Sequence, residues 1–488
     1  MTATHQTELP DKIDGAVLKV AGVVVLGAVM SILDITVVNV ALPTFAKEFS
    51  TPENPVSYAH VAWTVTAYTL ALATVIPMSG WAANRFGTKR LYMLALLLFT
   101  MGSALCATAW TINILIAFRA LQGLGGGMLM PVGMTIMTRA AGPHRMGRLM
   151  AILGVPMLLG PILGPILGGW LIQVASWHWI FLINVPIGAV ALVYSLRALP
   201  KDSPEPTDSF DFLGMALMSP GLALFLFGVS SIPGEGTVNS PRVWVSMLIG
   251  ALLILAFVWH SFRPEHPLLD LRLFKDRNLR ICIITMFLFA AAFFGGLLLV
   301  PSYYQTVRGE TPLQAGLLVA PQGIGAMLTM PIAGTLTDRI PIGRIVPVGL
   351  VVILVGMFGL TQLTSETPYG LITAELVVMG LGMGATMMPL FTVALRNLKH
   401  AEVARGSTLL NINQQISSSV GVAVMSVLLT NHLKGATTAA DAGQAFADTY
   451  WVAWVLVVLT LIPALMLPRR RVPTTADADE AMPPVPMH

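Results

Sequence analysis

Long runs without a charge set the pattern of this chain. Leu91–Ala109, Leu149–Val174, Ile345–Thr364 and Trp451–Leu467 each continue for at least 17 residues without Lys, Arg, Asp or Glu. A helix needs about 20 apolar residues to cross a hydrocarbon core, and helices of soluble cores are usually shorter. Reading apolar runs against polar breaks predicts fourteen spanning helices, at 17–43, 58–82, 90–110, 112–138, 148–174, 177–197, 212–232, 243–262, 281–303, 313–336, 344–364, 370–395, 406–431 and 450–467. The first run is too long for the core of a cleaved signal and contains Asp34, so it is kept as span one. Val472–His488, rich in Pro, Ala and acidic residues, reads as a disordered cytoplasmic tail.

Composition agrees with that reading. Of 488 residues 55% are hydrophobic and 11% charged, against about 25% charged in soluble domains. The net charge of +4 raises nucleic acid as a partner, but the placement of the basic residues explains it otherwise. With both termini inside, inner segments hold 23 of 28 Lys and Arg, outer loops hold Lys47, Arg242, Arg308 and Lys434, and Arg119 lies within a span. That is the positive-inside distribution of a fourteen-span protein in the cell membrane, and it removes the nucleic-acid reading. Cys106 and Cys282 both lie in apolar stretches, and the nine His lack ligand spacing, so neither disulfide framework nor metal site is expected.

Two stretches repeat. Gly80-Trp-Ala-Ala-Asn84-Arg85-Phe-Gly87-Thr-Lys-Arg90 follows span two, and Gly334-Thr-Leu-Thr-Asp338-Arg339-Ile-Pro-Ile-Gly-Arg344 follows span ten, 254 residues later. Gly123-Leu-Gly125 with Pro131 in span four matches Gly380-Leu-Gly382 with Pro389 in span twelve. The chain therefore divides into a cytoplasmic N-terminus (1–16), a six-helix half (17–200), a linker with two inserted spans (201–280), a second six-helix half (281–467) and the tail (468–488). Parallel repeats about an axis along the membrane normal are a transporter architecture.

These motifs resemble the major facilitator superfamily. Gly80–Arg90 is similar to its cytoplasmic loop signature, and Ile116-Ala-Phe-Arg119-Ala-Leu-Gln122-Gly123 to its Arg-containing motif in span four. Gly154-x5-Gly160-Pro161-x2-Gly164-Pro165-x2-Gly168-Gly169 resembles the span-five motif of its proton-driven exporters. Leu33-Asp34-Ile-Thr-Val-Val-Asn39-Val-Ala-Leu-Pro43 and Trp177-His178-Trp179-Ile-Phe-Leu-Ile-Asn184-Val-Pro186 resemble the fourteen-helix drug:proton antiporter branch. The resemblance covers 17–467 and implies an all-α membrane fold that exports drugs or dyes. Asn84 stands where the family usually has an acid, and His178 where the branch usually has Arg.

The residues carry their own physics. Gly160, Gly164 and Gly168 fall on one helical face, where small residues let a neighbouring backbone approach, and Pro161 and Pro165 remove donors and bend the helix. Such a face suits a helix that rocks against a partner, although Gly and Pro are also common in membrane helices generally. Gly80–Arg90 is either an ordinary basic inner loop or a latch on the inner ends of spans two and three. Asn84 can cap a helix but cannot pair as an ion with Arg, whereas Asp338 beside Arg339 can.

Charges within spans are the strongest pointers to function, because lipid makes them costly. Asp34 and Arg119 both lie roughly 12–14 Å below the outer surface at about 1.5 Å per residue, so they can meet. They are expected to form a proton-coupling site; the bland alternative is a structural ion pair. Glu375, near the outer end of span twelve and about opposite Arg119 by the repeat, is expected to favour cations, or else to be a rim residue reaching toward water. The 27 Met and 20 Phe offer material for an adaptable cavity. No catalytic constellation or cofactor motif is present, and Gly123-Leu-Gly-Gly-Gly127 lacks the Lys-Ser/Thr of a phosphate loop, so neither an enzyme nor nucleotide-driven transport is expected. The expected partners are protons, a small amphipathic molecule and membrane lipids, with the chain acting as a monomer. The alternative is export of one endogenous lipid or secreted metabolite on the same fold.

Overall fold

The computed structural model describes residues 15–51, 56, 58–141, 152, 154, 160, 163–164, 166–201, 209–235, 239–264, 267–269, 271–337, 339–396 and 403–469. Backbone polar groups in lipid must be satisfied within the segment, and the apolar runs accordingly form helices. The first half comprises α1 (Gly15–Glu48), α2 (Tyr58–Phe86), α3 (Thr88–Cys106), α4 (Ile112–Ala141), α5 (helical at 160, 163–164 and 166–174), α6 (Trp179–Leu182) and α7 (Asn184–Ala198). Then come the inserted α8 (Phe212–Glu235) and α9 (Pro241–Ser261). The second half comprises α10 (Arg277–Thr306), α11 (Pro312–Thr337), α12 (Ile342–Leu360), α13 (Tyr369–Gly384), α14 (Met387–Arg396), α15 (Val403–Leu433) and α16 (Ala439–Leu465). Among the described residues 13 helical segments are long and apolar enough to cross a membrane, with α6–α7 and α13–α14 each making one crossing. The remaining predicted span, 148–174, is described only in part, with helix at 152, 154, 160, 163–164 and 166–174.

Most boundaries shift by a few residues from the apolar-run reading, and two differences have identifiable reasons. Helix α16 begins at Ala439 rather than near 450, because Asp441, Gln444 and Asp448 hide its polar first turns from a hydropathy criterion. A capping box starts it: Thr438 Oγ1 accepts from Asp441 N at 3.1 Å, and Asp441 Oδ2 accepts from Thr438 N at 3.0 Å. Span twelve breaks between α13 and α14 at Ala385. Pro389 lacks the N–H that Ala385 O would accept in a continuous helix, so the ladder is interrupted there.

The repeat is built into helix contacts. Gly123 of α4 faces the Tyr68 carbonyl of α2, and Gly380 of α13 faces the Gln322 carbonyl of α11. Gly125 packs on Ala95 and Phe99 of α3, and Gly382 on Gly349 and Ile353 of α12. Gly102 of α3 meets Gln122, and Gly356 of α12 meets Met379. Each α11 or α12 position lies 254 residues after its α2 or α3 counterpart, and each α13 position 257 after its α4 counterpart. A Cβ at these glycines would collide with backbone, so close helix approach demands them.

The inserted helices form a hairpin closed by Gly221, Gly228 and Gly250. Helix α8 lies against α2, where Ser219 Oγ donates to Thr74 O at 2.6 Å and the Trp63 and Phe227 rings stack at 5.5 Å. Its Val229 and Ile232 also touch Ala423 of α15. The two halves themselves meet toward the end of the bundle at which Gly15 lies. There Ser79 Oγ and Thr408 Oγ1 are 3.1 Å apart, Thr135 Oγ1 and Ser407 Oγ are 2.8 Å apart, and Ser407 Oγ donates to Pro131 O at 3.1 Å.

Candidate functional site

Five helices bring polar side chains together in the first half. Asp34 from α1 is 1% exposed and Arg119 from α4 is fully buried. Arg119 Nη1 donates to Asp34 Oδ2 at 2.5 Å. Gln122 Nε2 donates to Asp34 Oδ1 at 2.8 Å, and Asn184 Nδ2 from α7 donates to the same oxygen at 3.3 Å. Asn184 is itself held by Ser103 Oγ of α3 at 3.1 Å, and Ser103 donates to Phe181 O at 2.9 Å. The guanidinium also donates from Nε to Thr64 O at 3.1 Å and from Nη1 to Gln122 Oε1 at 2.7 Å, and it sits 4.2 Å from the Tyr68 ring centroid. The carboxylate thus has three donors, and the guanidinium has carbonyl, amide and aromatic partners, so a charge pair can exist away from water.

The contact that matched depth allows between Asp34 and Arg119 is present. Gln122 and Asn184 lie within the span-four and span-six motifs, which assign them no role, and no sequence motif singles out Thr64, Tyr68 or Ser103. One signal was available for Gln122: it follows Arg119 by three residues and so shares its helical face.

The glycine face of α5 packs on the helix that carries Asp34. Gly160 lies against Ile32, Gly164 against Thr36 and Gly168 against Val37, and Thr36 Oγ1 donates to Gly160 O at 3.2 Å. Gly169 faces open space. Pro161 and Pro165 lie outside the described residues. Gly154, helical but separated from α5 by residues outside the described set, abuts Met330 of α11 and Met388 of α14.

Glu375 does not join the cluster. The offset of 257 residues puts Leu376, not Glu375, at the place of Arg119, and one residue turns a helix by about 100°. The Glu375 carboxyl points instead at Gly359 of α12 and lines a peripheral cavity of about 430 Å³ with Phe358, Gln362, Thr367 and Leu371. Elsewhere in the second half, Phe289, Phe293 and Phe294 of α10 gather with Met286, Met387 and Phe391 around a small apolar cavity. The Phe289 and Phe293 rings stack at 6.0 Å, and Asn413 and Gln414 supply the polar edge.

Comparison with known proteins decides the family. The Major Facilitator Superfamily profile matches residues 24–422. The chain belongs to this superfamily. It is 46% identical over 507 aligned residues to a multidrug resistance protein B homolog of Mycobacterium tuberculosis, covering 96% of this chain and 93% of that protein. It is 32% identical to a putative multidrug resistance protein MdtD of an Enterobacter species, over 92% of this chain and 93% of that one. Among solved structures, the proton:xylose symporter XylE superposes with a TM-score of 0.64 at 14% identity, covering 91% of this chain and 94% of the symporter, a likeness of fold.

The superfamily loop signature takes a neutral form here. Asn84 Oδ1 accepts from Arg139 Nη2 at 2.9 Å, tying the end of α2 to the end of α4 rather than to Arg85 or Arg90, both of which are exposed. Gly87 begins α3 at φ 90°, a left-handed conformation that favours glycine. In the second copy Arg339 is exposed, and Asp338 lies outside the described residues. Gly80 has a different part: it abuts Ala404 and Thr408 of α15, at the seam between the halves. His178 stacks on Trp177 at 3.8 Å between ring centroids and meets Ser176 Oγ at 3.2 Å.

Proposed function

We propose that this chain is an antiporter of the cell membrane that exports hydrophobic or amphipathic organic molecules in exchange for protons. One observation carries the reading: a fully buried Asp34–Arg119 pair on α1 and α4, with the glycine face of α5 packed on α1 beside it. An exchanger needs a group whose proton affinity differs between its two open states. Desolvation favours a neutral carboxyl group, a nearby guanidinium favours its anion, and Arg remains charged throughout. Movement of α5 along α1 would alter the Asp34–Arg119 distance or its access to water. Asp34 then carries the coupling proton and Arg119 sets when it leaves.

Residues 17–200 and 281–467 are the two rocking units, and 201–280 carries the inserted helices between them. Both termini are cytoplasmic, so the hydroxyl seam at the Gly15 end closes the inner side. The Phe and Met side chains gathered around the small second-half cavity offer an apolar, adaptable surface for cargo, and the names of the multidrug resistance relatives are in keeping with it. The test is purified protein in liposomes with only a pH gradient imposed. An amphipathic dye should move uphill and stop when a protonophore is added. Uphill movement that survives the protonophore overturns the proposal.

A further inference from the structure

Among the described residues of the second half, three buried polar groups are left without a protein partner, and the Asp34 mechanism uses none of them. Glu375 Oε2 is buried with no donor, and the hydroxyls of Tyr450 and Tyr304 are likewise unpartnered on fully buried side chains. Tyr450, from α16, stands within electrostatic reach of both Tyr304 on α10 and Glu375 on α13. The carboxyl occupies a notch cut for it in α12, since any side chain at Gly359 would overlap Oε1 and Cδ.

Among the described residues, no Lys or Arg forms an ion pair or hydrogen bond with the Glu375 carboxyl in this notch. Helix α12 offers Gly356 and Gly359, α16 offers Tyr450, and α10 offers Tyr303 and Tyr304. The 361–368 connection brings Glu366, an acid, to the rim of the adjoining cavity. Arg308 is engaged by the carbonyls of Ser365 and Thr367, the latter at 2.8 Å, and Glu310 accepts from Tyr369 at 2.6 Å. An ionised Glu375 would therefore bury part of an unpaired charge at membrane depth. The neutral acid avoids that cost. The cavity lined by Phe358, Gln362 and Thr367 gives the carboxyl a route to the Glu48 end of the bundle.

We propose that Glu375 is a second proton-binding site, located in the second half, distinct from Asp34 and loaded from the Glu48 end. Its part in transport rests on the antiport reading, whereas its occupancy by a proton does not. The experiment is infrared spectroscopy of the full chain in liposomes at neutral pH, paired with a count of protons moved per dye exported. The wild type should show a neutral-carboxyl carbonyl stretch that Glu375→Gln removes, Asp34→Asn keeps and Tyr450→Phe shifts. Glu375→Gln should also lower the proton count per dye, and Glu375→Asp should restore it in part. A wild-type spectrum in Glu375→Gln overturns the site, and an unchanged proton count overturns its part in transport. A wild type that moves no protons would defeat the antiport reading instead, and the infrared band would still decide Glu375.

Discussion

The two halves hold opposite chemistry at one place in one scaffold. Where α2, α3 and α4 bring Tyr68, Ser103, Arg119 and Gln122 toward Asp34, the matching positions on α11, α12 and α13 are Gln322, Met357, Leu376 and Met379. Three of these, with Phe289 and Phe293, line an apolar cavity in the second half. The glycine contacts that fix the helix spacing are the same in both halves, so backbone geometry is indifferent to what fills the space between. One half can thus keep a desolvated charge pair while the other keeps a soft, polarisable wall. Under the antiport reading this is a division of labour, with the Asp34–Arg119 proton site in the first half and cargo binding against the apolar wall of the second.

The largest effects should follow from removing the charge chemistry of the first half. Asp34→Asn is expected to reduce pH-driven efflux from proteoliposomes to background while dye binding, followed by fluorescence, persists. Loss of binding together with efflux would break the division. Arg119→Ala should destabilise the folded protein by about 3–5 kcal/mol, because it leaves Asp34 buried and unpaired. Thermal unfolding in detergent measures this. Arg119→Lys should recover only part of the activity, since a point charge cannot reproduce the guanidinium's simultaneous contacts with Asp34, Gln122, Thr64 and Tyr68.

Next in size is Gly164→Leu. Its side chain would drive into Thr36 on α1, two residues from Asp34. Transport should fall to background although the protein still inserts and runs as a monodisperse species by size-exclusion chromatography. Normal transport by this variant would mean that the α5–α1 contact does not move.

Much of this arrangement was legible in the sequence because lipid enforces simple rules. Spans could be read from uncharged runs, and depth counting brought Asp34 and Arg119 to one level. Other features depend on rotation about a helix axis, which a sequence motif leaves loose by a residue. Glu375 and Leu376 differ by one position, yet only the glycine contacts of α13 show which of them matches Arg119. Thr64, Tyr68 and Ser103 were not legible for another reason. Thr64 acts through its backbone carbonyl, which no residue type announces. Tyr68 and Ser103 are uncharged polar residues of a kind common in spans, and they matter here because they pack around the ion pair and its Asn184 partner.

A moderate effect is expected from the apolar side of the comparison. Phe293→Ala removes a ring that stacks on Phe289 and packs edge-on to Phe294 at 4.8 Å. Dye affinity should weaken about tenfold, equivalent to ~1.4 kcal/mol. The number of protons exchanged per dye should not change. A changed proton count would show that this apolar cavity and the proton sites are coupled.

The smallest effect belongs to the seam, where neither half's pattern prevails. Ser407 of α15 reaches Thr135 and the Pro131 carbonyl of α4, so Ser407→Ala removes a hydroxyl shared between halves. The cost is limited because each group left behind keeps another partner. Thr135 Oγ1 already donates to Pro131 O at 2.8 Å, and that same bond occupies the carbonyl Ser407 would leave. A net hydrogen bond contributes about 1 kcal/mol, so the closed-to-open ratio at the Gly15 end should shift by about fivefold. Reactivity of a cysteine placed at Met134, beside Asn411 across the seam, reports that ratio. Ser407→Ala should raise its labelling rate while leaving the order of dye affinities intact. Equal labelling in the two backgrounds would mean that the seam is held by packing, as at Gly80 against Ala404, rather than by its hydroxyl groups.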